Sequence, residues 1–246
     1  MMPIQNAVPN RYPATVTYAL IAANCLVFLF HLTLNPIEEQ LFLQAFALIP
    51  ARYFEIFAEG YGPVEPADFL PFLTMMFLHG GWLHLIFNMW TLWLFGPTIE
   101  DRLGHGRFLL FYILCGLFAS FAHVASGPTS IVPALGASGA IAGVLGCFMW
   151  LFPWARIIVL VPVLFVPFFF EVPAVVFAGL WFLVQLFQGA IQLVMPSPGG
   201  GVAWWAHIGG FVAGLTLGPL IMRSARSYRT YYQDEGIYGF NALGRP

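Results

Sequence analysis

Six long apolar runs divide the chain, at about 15–34, 80–99, 107–126, 135–152, 172–194 and 203–222. Crossing a bilayer takes roughly 20 apolar residues in a helix, so each run predicts one membrane span. Between the first two runs, 35–79 is mixed. It holds Glu38, Glu39, Glu55, Glu59, Glu65 and Asp68 against the single cation Arg52. Within it, 38–57 alternates apolar and charged residues at helical spacing, which predicts a helix lying in the interface plane. Gly60-Tyr61-Gly62-Pro63 breaks it. The stretch 157–170 is apolar but short, and it carries Pro162 and Pro167. That length fits a re-entrant or interfacial segment better than a span, an irregular hairpin leading into the fifth run near Val172.

Composition turns this pattern into a class. The chain is 60% hydrophobic and 8% charged, where a soluble domain carries about 25% charged residues; it is an integral membrane protein. All nine basic residues are arginine, net charge is -2, and no basic patch forms, so no nucleic-acid partner is expected. Cys25, Cys115 and Cys147 lie far apart in apolar runs without zinc-site spacing and read as small core residues. The first run exceeds a signal peptide's apolar region of about 7–15 residues and lacks a small-residue cleavage site, so it is read as a retained span.

Arginine placement tests the count. Six spans with a cytoplasmic N-terminus put Arg11, Arg102, Arg107, Arg156, Arg223, Arg226, Arg229 and Arg245 inside, and Arg52 alone outside. That is the positive-inside bias; a seventh span through 157–170 would destroy it. Trp82, Trp204 and Trp205 then fall near the outer interface, and Trp150 and Trp154 near the inner one, as aromatic belts do.

Three polar islands interrupt the apolar runs: His84 to Asn88, Gly136-Ala137-Ser138-Gly139 and Ala206-His207. Polar groups are costly in hydrocarbon and mark function. Spans 2, 4 and 6 run in the same direction, and His84, Ser138 and His207 each lie three or four residues past a span start. At 1.5 Å per residue all three sit roughly 5–6 Å deep, where they can converge. A hydroxyl, a base and hydrogen-bond donors are the parts of acyl-transfer chemistry. Gly136 and Gly139 give Ser138 room, and helix-start amides there can face an oxyanion. His84 and Asn88, four apart, share a helix face and can both donate. Gly139 and Gly143, and Gly210 and Gly214, repeat the G-x-x-x-G spacing of helix contacts. These small faces would let spans 4 and 6 approach closely and bring His207 to Ser138. Packing alone also accounts for the glycines, an interfacial anchor for His207, and an interhelical clamp for His84 and Asn88. No carboxylate is placed to orient His207, so a Ser-His dyad is the economical reading, with packing and a backbone or hydroxyl acceptor setting the tautomer. His79, His84 and His207 lack an anionic ligand and an H-E-x-x-H pattern; no metal and no cofactor are expected.

Taken together, H-x-x-x-N at His84 to Asn88, G-x-S-G at Gly136 to Gly139 and A-H-x-x-G at Ala206 to Gly210 resemble the rhomboid family of intramembrane serine proteases, of the prokaryotic six-span type. Glu100-Asp101-Arg102-Leu103-Gly104 resembles that family's E-x-x-x-G turn. The resemblance covers about 15–222. It implies an all-α polytopic membrane protein: a six-transmembrane-helix rhomboid-like bundle with an interfacial helical segment between spans 1 and 2. Flanking it would be a cytoplasmic N-terminus at 1–14 and a cytoplasmic tail at 223–246. Ser138 would be the nucleophile and His207 the general base; His84, Asn88 and the Ser138 backbone N–H would form the oxyanion hole. The expected activity is endoproteolysis within transmembrane segments of single-span membrane proteins, in the lipid bilayer of the cell's inner membrane, with the site toward the extracytoplasmic side. The loop 195–201 would cap the site as a lid. The Trp-Arg pair many members carry in the first outer loop is missing at Phe69-Leu70-Pro71-Phe72. The rival expectation is a non-catalytic relative that binds client transmembrane helices. A transporter is disfavoured, since polarity gathers near one face.

Overall fold

The computed structural model describes residues 2–56, 65–163, 166–195 and 202–222. The expected break at Gly60 to Pro63, most of the loop 195–201 and the tail 223–246 lie outside the described residues. Each of the six apolar runs holds one helix: α1 (Thr15–His31), α5 (Trp82–Leu103), α6 (His105–Ser126), α7 (Ser138–Leu151), α8 (Ala174–Val194) and α9 (Trp204–Ile221). By length and apolarity α6, α8 and α9 suffice to cross a membrane. The helical approach Pro66–Phe77 and α5, bent by 83°, count as a fourth candidate. Helix α1 has 17 residues and α7 has 14. At 1.5 Å per residue α7 is about 21 Å long, short of the ~30 Å hydrocarbon core, so one of its ends must lie inside that thickness.

The segment between the first two runs forms α2 (Pro36–Phe46) and α3 (Pro50–Phe54), followed by short turns and α4 (Pro71–Thr74). Asn35 caps α2: its side chain accepts from the Ile37 and Glu38 amides while Glu38 reaches back to the Asn35 N–H, a reciprocal pair that satisfies otherwise orphaned donors. The expected single helix is two. The chain leaves α2 at Ala47, Leu48 pairs antiparallel with Ala134, and Pro50 opens α3. No residue of α2 is buried, as suits a helix on the surface of the bundle. Tyr53 donates to the Asp68 carbonyl (2.9 Å). Burial pushes its pKa up to about 12, against a lowering by Arg52, so it stays a donor.

The E-x-x-x-G turn has a physical reason. Glu100, 1% exposed, accepts from the Val16 amide (2.9 Å), the Thr17 amide (2.7 Å) and the Thr17 hydroxyl (2.7 Å). A carboxylate at a helix N-terminus satisfies free donors and meets the positive end of the helix dipole, so α5 caps α1 from across the bundle. His105 Nδ1 lies 2.5 Å from the same carboxylate. Gly104 turns α5 into α6 at φ +80°, a conformation glycine adopts without penalty.

Helix α7 runs through the centre, buried along most of its length. Backbones meet there: a Cβ on Gly210 would fall on the Gly139 carbonyl, and one on Gly214 on the Gly143 carbonyl. The two G-x-x-x-G faces of spans 4 and 6 therefore touch each other, the geometry small residues permit.

The described residues of the stretch 157–170 are regular rather than irregular. They form a β-hairpin, β2 (Arg156–Val163) and β3 (Val166–Pro173), with Pro162 opposite Pro167. Residues Met2–Asn6 add a third antiparallel strand, β1, alongside β2, so the segment 1–14 contributes to the fold. The two prolines sit at the hairpin tip, where ladder bonds are dispensable, and Arg156 pairs with Glu171 across the base. Strand β3 passes directly into α8, whose first amides are taken by the Ala155 (2.8 Å) and Pro153 (2.9 Å) carbonyls.

Candidate active site

Helix α7 begins at Ser138, and its approach is shaped by Gly136. The φ of Gly136 is +128°, and a Cβ there would stand 2.8 Å from His84 Nε2. Glycine is needed both for the conformation and for the space. The Gly136 amide is anchored on the Met75 carbonyl (2.9 Å).

From α9, one turn in, His207 reaches across. Its Nε2 lies 2.8 Å from Ser138 Oγ. The glycine seam brings α7 and α9 close enough for this contact. The imidazole is flanked by Trp181 (ring centroids 5.7 Å apart) and by Trp204, edge-on at 6.4 Å. On the far side, His207 Nδ1 lies 2.8 Å from Gln185 Oε1. Gln185 is a residue of α8 and is 4% exposed.

His84 and Asn88 approach from α5 and line the same cavity as Ser138 and His207. The His84 ring packs edge-on against His79 at 5.0 Å. The Asn88 amide donates to the His84 carbonyl of its own helix (3.0 Å), so in this state it serves α5 while facing the cavity. The cavity has a volume of about 1350 Å³. Two of its walls are α5 (Phe87, Thr91) and α8 (Phe177, Trp181); α7 (Ile141, Leu145), the segment 126–135 and Pro3 of β1 also line it. Four sequence-derived site residues thus stand around one cavity, and two of them touch. Among the described residues, no three His, Cys, Asp or Glu side chains are placed to hold a metal ion.

Gln185 is the member that sequence reading missed. It and Gln188 and Gln192 are polar positions in the apolar α8 run, which was a signal; which of them turns toward His207 depends on helix rotation, which the sequence does not carry.

A multi-pass helical membrane protein with a serine hydroxyl bonded to a histidine within the bundle is a narrow class. Residues 66–224 match the family model of the Rhomboid domain, and the chain belongs to the rhomboid family. It is 30% identical over 227 residues to the mitochondrial Rhomboid protein 1 of Saccharomyces cerevisiae, covering 89% of this chain and 57% of that protein. With Rhomboid protease GluP of Bacillus subtilis it shares 35% identity over 136 residues, 55% of this chain and 24% of that one. With Rhomboid-type serine protease 2 of Emericella nidulans it shares 28% over 176 residues, 67% of this chain and 29% of that one. The matched region spans between about a quarter and a little over half of these relatives' own lengths.

Proposed function

We propose that the protein is an intramembrane serine endopeptidase that cleaves transmembrane segments of single-span membrane proteins. The observation that carries the reading is the 2.8 Å contact of Ser138 Oγ with His207 Nε2, in a cavity walled by two apolar helices. The substrate helix enters between α5 and α8. An intact helix keeps its carbonyls in internal hydrogen bonds, so a stretch of it must unwind before attack.

Ser138 Oγ then attacks the scissile carbonyl carbon while its proton passes to His207 Nε2. The tetrahedral oxyanion is held by His84, Asn88 and the Ser138 backbone N–H; Asn88 exchanges its bond to the His84 carbonyl for the oxyanion as charge develops. The C–N bond breaks, His207 returns the proton to the leaving amine, and an acyl-enzyme ester remains. Water, deprotonated by His207, hydrolyses it and restores Ser138. In this reading both termini are cytoplasmic and the site lies toward the extracytoplasmic face, which the arginine asymmetry supports.

The test is cleavage of a generic single-span substrate in proteoliposomes. Wild type is expected to cleave, and to be labelled at Ser138 by a fluorophosphonate; Ser138→Ala is expected to do neither. Cleavage that survives in Ser138→Ala rejects the nucleophile. A wild type that binds the substrate yet neither cleaves nor labels is instead a non-catalytic binder of client helices.

A further inference from the structure

A histidine that accepts a proton at Nε2 must carry its own hydrogen at Nδ1. A neutral histidine ring can take either tautomer, so something must hold the Nδ1–H form and the ring orientation. Carboxylates do this in many hydrolases. Here the carboxylates of α5 and β3 are engaged elsewhere: Glu100 caps α1, Asp101 accepts from the Arg11 and Tyr12 amides, and Glu171 pairs with Arg156.

We infer that Gln185 is the positioning residue for His207, a neutral third member of the site supplied by α8; this rests on the proteolytic reading above. The hydrogen-bond directions fix the assignment. Gln185 Nε2 lies 3.1 Å from the Trp181 carbonyl, which can only accept, so the amide NH2 faces Trp181. The oxygen therefore faces the ring, 2.8 Å from His207 Nδ1. An amide oxygen only accepts, so Nδ1 is the protonated nitrogen. That leaves the Nε2 lone pair for the Ser138 hydroxyl at 2.8 Å. From Ser138 through His207 and Gln185 to Trp181 every donor meets an acceptor, and the opposite tautomer would oppose two lone pairs at Nδ1.

An amide oxygen also differs from a carboxylate. It orients the ring and offers a dipole to the imidazolium that forms, but no charge. In an apolar bundle this spares the desolvation of a resident anion.

The test compares Gln185→Leu, Gln185→Glu and wild type in micelles. Gln185→Leu fills the space without an acceptor. It is expected to lower kcat about 100-fold, the scale of a lost base function, with KM unchanged. Gln185→Glu keeps an acceptor of the same shape. It is expected to retain activity well above the Leu variant, and to move the acidic limb of the pH–rate profile to higher pH, because a carboxylate holds the imidazolium. Nitrogen-15 shifts of His207 supply a readout independent of turnover: Nδ1–H in wild type, and a mixture of tautomers in the Leu variant. Wild-type His207 found as Nε2–H overturns the inference, whatever the activity. So does a Leu variant with wild-type kcat and pH profile, or one changed in KM alone. If the Leu variant does not fold, the wild-type tautomer and the Glu profile still decide. A wild type that neither cleaves nor labels, with His207 in the Nδ1–H form, sinks the proteolytic reading and leaves the hydrogen-bond assignment standing.

Discussion

At the scale of single residues, Gly136 carries two demands at once. Its φ of +128° belongs to glycine, and the volume a side chain would take is filled by His84 Nε2 at 2.8 Å. Gly136→Ala is therefore expected to cost about 1–3 kcal/mol, the usual range for a strained backbone position. It should also displace His84 or the start of α7, either of which slows fluorophosphonate labelling of Ser138. The check is thermal melting together with the labelling rate; a variant normal in both would mean that His84 has slack. The candidate residues that meet at the cavity were legible because polar side chains stand out in apolar runs. Ser138, His84, Asn88 and His207 are conspicuous in the sequence for the same reason that they are costly in the bilayer. Gln185 is as polar, but it has neighbours of its own kind at 188 and 192, and nothing local marks which one meets the imidazole. Distance along the chain hides a partner that rotation about a helix axis reveals.

At the scale of elements, the contact of α7 with α9 sets everything that follows. Gly210 and Gly214 abut the Gly139 and Gly143 carbonyls, so a side chain there must separate two backbones. Gly214→Val is expected to destabilise by about 1–3 kcal/mol or more, the cost of overpacking, and to part Ser138 from His207. Gly179 on α8 has open space where a Cβ would stand, and Gly179→Ala should stabilise by up to about 1 kcal/mol through helix propensity. Melting of both variants in the same detergent checks the pair, and equal effects would mean that glycine count rather than the seam governs stability. The six helices were readable because each fills one long apolar run. The sheet was not: in 157–170 both faces of the hairpin are apolar, so the alternation that betrays a half-buried strand is absent. Strand β1 was hidden by distance, since its partner lies about 150 residues away. The interruption between α2 and α3 was marked by Pro50, but helical spacing on both sides concealed it.

At the scale of the whole molecule, β1 joins the two walls of the cavity. The Trp90 indole of α5 donates to the Pro3 carbonyl (2.7 Å). The Asn6 amide donates to the Leu94 carbonyl (2.5 Å) and lies 3.4 Å from Thr98 Oγ1. Through β2 and β3 the same strand is continuous with α8. Phe95 and Phe177 stack between the walls at 6.2 Å. The cavity lining is thus tied at Pro3 by groups outside the proposed chemistry. Asn6→Ala and Trp90→Phe each remove hydrogen bonds worth about 1 kcal/mol and should lower the melting temperature accordingly. Because both act on one strand, breaking either loosens the other, and the double variant should lose less than the sum of the two. Fluorophosphonate labelling of Ser138 should remain at the wild-type rate, since Ser138 and His207 are set by the α7–α9 seam and not by the sheet. A double loss equal to the sum would show two independent contacts rather than one tie. Slowed labelling would show that the geometry at Ser138 depends on the sheet.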